Sequence, residues 1–204
     1  MGQLKVNDTF AAMLKERGVR RAYGMPGTET LAIIDALGRV GIQYLLTHHE
    51  TTAGNIAAIE GLLTGIPGVC IVTQGPGATN MVTAAANASL DRLPMLALAT
   101  TVGADPAIQI THQKVPLASI FQSVTKRVEE LTAGNVGRVL PELLELACSP
   151  RPGPVFASIS GSEARREVEM DSPVESPPAS SGISAPRREL LHLAVARLRE
   201  ARRP

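Results

Sequence analysis

Two apolar runs in this chain stop at a polar turn and pass at once into an Ala-rich helical pattern. Ile42 to Leu46 leads into Thr47-His48-His49-Glu50-Thr51-Thr52-Ala53. Val69 to Val72 leads into Thr73-Gln74-Gly75-Pro76-Gly77-Ala78-Thr79-Asn80. A short apolar run bounded by turn residues reads as a strand, and the Ala-rich stretch after it reads as a helix. Strands alternating with helices in this way commit a chain to an open α/β sheet. Ligands of such sheets gather where strand carboxyl ends meet helix amino ends. Both turns fall on that edge, and Glu50 is the leading candidate for a catalytic role.

The rest of the sequence repeats the alternation. Asn7 or Asp8 is placed to cap a first helix with Phe10, Met13 and Leu14 on one face, ended by Gly18. Val19 to Tyr23 reads as a strand, followed by the backbone-dictated loop Gly24-Met25-Pro26-Gly27. A second helix starts near Thr28, with Leu31, Ile34 and Leu37 as its inward stripe. Helices over about 51–64 and 78–88 carry small residues on adjoining faces, among them Ala53, Gly54, Ala57, Ala58 and Gly61. Such faces suit close helix packing, read here as extending to a subunit contact. Pro94 to Ala99 is apolar without alternation, as a strand buried on both faces of a parallel sheet is. Further strands are expected at Val124 to Val128 and Pro154 to Ile159, with a helix over about 135–147 that Pro141 shortens or kinks. The expected fold is a doubly wound, mostly parallel α/β sheet with helices on both faces, filling residues 1–170. Residues 171–186, with four prolines and five serines, read as a linker. Residues 187–204 read as one amphipathic helix, the start of a further domain that is cut off.

Composition removes several classes of function. A formal net charge of +1 with no basic block, three Phe, two Tyr and no Trp offer neither an electrostatic footprint nor a stacking platform for nucleic acid. No apolar run approaches the ~20 residues that span a bilayer, and no apolar leader is evident, so the expected location is cytoplasmic. Cys70 and Cys148 are expected as buried thiols rather than a disulfide. No His, Cys and acidic set has zinc-site spacing. The Gly75-Pro76-Gly77 turn lacks both the Gly-Lys-Ser/Thr and the Gly-x-Gly-x-x-Gly patterns, which argues against nucleotide binding.

Four motifs recur here in one order: Tyr-Gly-Met-Pro-Gly at 23–27, His-Glu at 49–50, Gly-Pro-Gly-Ala-Thr-Asn at 75–80, and Leu-Asp-Arg-Leu-Pro-Met at 90–95. Together they resemble the N-terminal pyrimidine-binding domain of thiamine-diphosphate enzymes of the acetolactate synthase and benzoylformate decarboxylase group, over about residues 4–165. The resemblance implies that Glu50 hydrogen-bonds a ring nitrogen of the cofactor aminopyrimidine and favours its imino tautomer, the group that activates the thiazolium. It implies cofactor contacts from Gly24, Pro26 and Gly27 and from Thr73, Gly75, Pro76 and Asn80, with Asn80 bracing its loop. His112 and Gln113 match a polar pair that relatives place near the substrate, although Lys114 stands where relatives often have Glu. His49 either orients Glu50 or sits at the helix start, and the plain role for Glu50 itself is a first-turn carboxylate favoured by the helix dipole.

The same resemblance places Mg²⁺ and the diphosphate on a Gly-Asp-Gly motif of another domain. No such motif occurs in this chain, so it is expected to engage only the pyrimidine end of thiamine diphosphate. An FAD site would belong to the family's central domain, and no residue here bears on it. The leading expectation is the front part of a 2-keto acid decarboxylase or carboligase. It would work as a homodimer or tetramer, its site shared with the diphosphate domain of another subunit. The alternatives are the pyrimidine-domain subunit of a two-chain decarboxylase, and a non-catalytic binding or assembly module of the same fold.

Overall fold

A computed structural model describes residues 4–102, 113–168 and 188–200. The elements in chain order are α1 (Val6–Glu16), β1 (Arg21–Gly24), a 3-10 turn at Thr28–Thr30, α2 (Leu31–Arg39), β2 (Gln43–Leu46), α3 (Glu50–Thr64), β3 (Gly68–Val72) and α4 (Pro76–Leu90). They continue with β4 (Met95–Thr101), α5 (Leu117–Gln122), β5 (Val128–Glu130), α6 (Val136–Cys148), β6 (Pro154–Ser160), α7 (Gly161–Arg165) and α8 (Arg188–Glu200). The six strands form one sheet in the order β2-β1-β3-β4-β6-β5, and every neighbouring pair is parallel. From β1 the chain goes to β2 on one side, then crosses back to β3 on the other. That reversal leaves a crevice at the carboxyl ends of β1 and β3, the usual ligand position in such sheets.

Helices cover both faces, as the sequence predicts. Alternate residues of β3 show the division: Val69 and Ile71 face one core with Phe10, Leu14, Leu37, Leu140 and Leu144. Cys70 and Val72 face the other with Ala53, Ala57, Met81, Ala85 and Phe121. The first core takes large aliphatic side chains from α1, α2 and α6. The second is thin, because α3 and α4 meet the sheet with alanines and each other with a glycine. A Cβ on Gly54 would lie 2.5 Å from Cβ of Ala84, so the two backbones approach as far as side chains allow. Phe121 and Phe156 fill the wider end of that layer, stacked with ring centroids 3.9 Å apart.

Several local expectations are corrected. Asn7 does not cap α1: Lys5 occupies the cap position, and Asn7 is buried, donating from Nδ2 to the Ala32 carbonyl at 3.0 Å. The buried stripe of α2 is Ile33, Ala36 and Leu37, because the 3-10 turn ahead of it rotates the helix and leaves Leu31 56% exposed. The strand expected at Val124 to Val128 is mostly a turn: α5 precedes it and β5 begins only at Val128. Pro141 lies inside α6 without shortening it. The close helix packing expected of the small residues is found within the chain, where α3 and α4 pack on each other. The linker expected at 171–186 lies outside the described residues. Both cysteines are free thiols, Cys70 buried and Cys148 partly so. Among the described residues no helix is long and apolar enough to cross a membrane.

Candidate functional site

The loops after β1, β2 and β3 converge on one carboxylate. Glu50 is the first residue of α3 and only 6% exposed. Immediately before it, His49 caps the helix, its Nδ1 accepting the Thr51 N–H at 3.2 Å. Of the two roles open to His49, the structure therefore shows the capping one. Glu50 Oε2 accepts a hydrogen bond from Nδ2 of Asn80 at 3.0 Å. In the opposite sense, Thr51 Oγ1 donates to the Asn80 carbonyl at 2.6 Å. Two hydrogen bonds thus fasten the first turn of α3 to the amino-terminal part of α4.

Space for that carboxylate is made by glycine. A Cβ on Gly77 would lie 3.2 Å from Glu50 Oε1 and 2.8 Å from Cγ2 of Thr73; one on Gly27 would lie 2.5 Å from Thr73 Oγ1. Thr73, just past the end of β3, is therefore the post against which the β1 loop and the start of α4 both rest. The β1 loop is fixed by Thr30, whose Oγ1 donates to the Gly27 carbonyl at 2.7 Å and accepts the Gly27 N–H at 2.9 Å. Gly24 leaves room for the Tyr44 hydroxyl, which reaches across it to donate to the Ile71 carbonyl at 3.0 Å.

Gly75 has φ 58° and ψ −120°, backbone that a side chain strongly disfavours. The volume its missing side chain frees is taken by Gln113, whose carbonyl oxygen would stand 2.5 Å from a Cβ there. Pro76 opens α4, where a missing N–H costs nothing. The structure thus brings Gly27, Glu50, Thr73, Gly77 and Asn80 together around one carboxylate, and Gln113 against Gly75. Pro26 in the β1 loop and Pro76 at the start of α4 are both exposed. His112 lies outside the described residues. His48 is exposed beside the site, and His192 is exposed on α8.

Sequence reasoning missed three residues. Thr51 ties Glu50's helix to Asn80, Tyr44 bridges β2 to β3, and Gln74 is buried with Nε2 directed to Gln113 Oε1 at 3.4 Å. Thr51 and Gln74 carried a signal, by their places inside the Thr47 to Ala53 and Thr73 to Asn80 stretches, and Tyr44 carried none.

The electrostatics converge as well. Burial, and then the Glu50 carboxylate, push the Cys70 thiol well up from its ordinary range. The Tyr44 hydroxyl is raised chiefly by burial, with smaller contributions from Cys70 and Glu50. Glu50 Oε1 makes no hydrogen bond to the described residues, while Oε2 is committed to Asn80. A buried carboxyl group with one oxygen anchored and the other open is equipped to exchange a proton with a basic ring nitrogen placed against it. That donor set suits the pyrimidine end of thiamine diphosphate. Among the described residues no group of three or more His, Cys, Asp or Glu side chains is placed to hold a metal ion. A cavity of about 420 Å³, lined by Arg20, Arg21, Glu60 and Pro67 among others, lies at the amino ends of β1 and β3, away from Glu50.

A family model described as "Thiamine pyrophosphate enzyme, N-terminal TPP binding domain" matches residues 4–119. The chain is similar to the acetolactate synthase isozyme 2 large subunit of Escherichia coli, 37% identical over 149 residues, covering 72% of this chain and 27% of that protein. It is similar also to the acetolactate synthase large subunit of Corynebacterium glutamicum, 34% identical over 194 residues, covering 94% of this chain and 31% of the relative. The chloroplastic acetolactate synthase 2 of Nicotiana tabacum is 33% identical over 207 residues, covering 98% and 31%. The chain thus spans less than a third of the length of these relatives.

Proposed function

Since the chain belongs to the thiamine pyrophosphate enzymes, carrying their N-terminal TPP binding domain, we propose that it supplies the pyrimidine-binding half of an acetolactate synthase-like decarboxylase or carboligase acting on 2-keto acids. The observation that carries this reading is Glu50: buried, held at Oε2 by Asn80, and open at Oε1 beside Gly77. When bound, thiamine diphosphate supplies the carbanion chemistry that breaks or forms a bond next to a ketone. Glu50 holds a proton at Oε1 against a ring nitrogen of the pyrimidine. Asn80 fixes the rotamer of the carboxyl group, and Thr73 and Gly77 set the depth at which a flat ring can lie. Gly24, Pro26, Gly27, Gly75 and Pro76 form the surrounding backbone, with His112 and Gln113 on the substrate side.

The diphosphate and its Mg²⁺ are assigned to a separate domain of a neighbouring subunit. An assembly of this kind is supported by an exposed apolar row, Ile56, Ile59 and Leu63, along a face of α3 that the described residues leave bare. Two free cysteines suit a reducing compartment such as the cytoplasm. The test is Glu50→Gln in the assembled enzyme, which keeps the shape and the Asn80 contact but removes the exchangeable proton. Turnover should fall by about 10²–10⁴-fold, the usual contribution of a positioned acid–base group, with the melting temperature little changed. Full turnover in Glu50→Gln would remove Glu50 from the chemistry.

A further inference from the structure

Gln74 lies between Thr73 and Gly75, two residues of the site, and is only 7% exposed. Its amide nitrogen donates to Gln113 Oε1 at 3.4 Å, and its amide oxygen is buried with no hydrogen-bond partner among the described residues. Gln113 is pinned from below as well, its Cα and carbonyl oxygen lying where a Cβ on Gly75 would be. It has a left-handed backbone, φ 62°. A buried acceptor without a donor costs folding free energy, and an apolar side chain of the same length would remove that cost. A residue that spends stability in this way, next to a site, marks a trade of stability for function.

We infer that Gln74 is a positioning residue for the 2-keto acid, acting through Gln113: its amide N–H fixes the Gln113 side chain over Gly75, and its unpaired oxygen is what that arrangement costs. This rests on the proposed function for the identity of the ligand, but its structural half does not.

The test compares Gln74→Met, Gln113→Met and the double variant in the assembled enzyme. Three quantities are measured: melting temperature without ligands, half-saturation by thiamine diphosphate with Mg²⁺, and kinetics with pyruvate. The Gln74→Met protein is expected to melt higher than the parent. Its KM for pyruvate should rise roughly three- to tenfold, the weight of one neutral hydrogen bond, with kcat and cofactor half-saturation within about twofold of the parent. The double variant should be no worse than the poorer single one, because both substitutions break one contact. A lower melting temperature for Gln74→Met, or additive losses in KM, overturns the inference and leaves Gln74 a packing residue. A parent enzyme that neither binds thiamine diphosphate nor turns over pyruvate refutes the proposed function instead. In that case the substrate role falls with it, and the melting temperature of Gln74→Met tests only the structural half: a rise shows that the unpaired amide oxygen costs stability, and a fall removes that half too.

Discussion

The spacing of α3 and α4 sets the geometry of the carboxylate, and one methyl group tests it. Gly54 is one turn along α3 from Glu50, and Ala84 is one turn along α4 from Asn80. The hydrogen bond at 3.0 Å and the glycine–alanine contact are thus consecutive rungs between the same two helices. A Cβ on Gly54 would sit 2.5 Å from that of Ala84, whereas carbons in contact prefer roughly 3.5–4.0 Å. In Gly54→Ala the helices must therefore part by about 1 Å. Overpacking of this kind costs about 1–3 kcal/mol, against about 1 kcal/mol gained from helix propensity. The net loss is about 1 kcal/mol, or roughly 2–4 °C in melting temperature for a chain of this size. The same separation stretches the Asn80 to Glu50 bond beyond hydrogen-bonding range, so half-saturation by thiamine diphosphate in the assembled enzyme should rise. Gly38→Ala is the control: its helix is α2, nothing lies within 4 Å of its Cβ position, and it should stabilise by up to about 1 kcal/mol. The decisive protein is Gly54→Ala with Ala84→Gly, which moves the methyl across the contact at no net cost in propensity. It should regain most of the lost stability and cofactor affinity. If Gly54→Ala behaves like Gly38→Ala, with unchanged half-saturation, the helix spacing does not hold the site and the reasoning fails.

Two further outcomes are expected. Ile59→Glu with Leu63→Glu replaces two exposed side chains, 48% and 78% accessible, so the fold should survive. In light scattering at micromolar concentration the parent should be a dimer or larger and this variant a monomer; a parent that is already monomeric would show that the row contacts nothing. Burial raises the Cys70 thiol above its unfolded value, so the native state keeps a proton that the unfolded chain gives up. The stability from this group is complete below the unfolded thiol pKa of about 8.5 and is lost as the pH climbs through the folded one. Urea midpoints should accordingly fall between about pH 7.5 and 9.5, and fall less in Cys70→Ala. The decline should shrink rather than vanish, since burial raises Cys148 in the same direction. An equal decline in parent and variant would assign the alkaline loss to other groups.

What could be read from the sequence was whatever a short stretch of backbone decides for itself. The turn Thr73 to Asn80 was legible because Gly75 needs a left-handed backbone and Pro76 suits a first helical position, both properties of single residues. Glu50 was legible because it opens an Ala-rich helix a short polar turn beyond the end of a strand. The stripe of α2 was misread because a 3-10 turn of three residues, invisible to a 3.6-residue period, rotates the helix before it begins. Asn7 was misread for a related reason. A residue typical of caps was instead drawn inward by a carbonyl 25 residues away, and no local rule anticipates that. The strand expected at 124–128 is mostly the turn that follows α5, a six-residue helix too short to show a period, and β5 starts only at Val128. Even within the site the division holds. The sequence pointed to Asn80 as a brace, but only the tertiary contact shows that it braces a carboxylate on another helix. The two halves of the site are 30 residues apart, and the small residues of α3 and α4 are what bring them within one hydrogen bond. The Ala and Gly content of these helices is therefore itself part of the functional signal: bulkier side chains at Gly54 and Ala84 would keep a similar amphipathic pattern while separating Glu50 from Asn80.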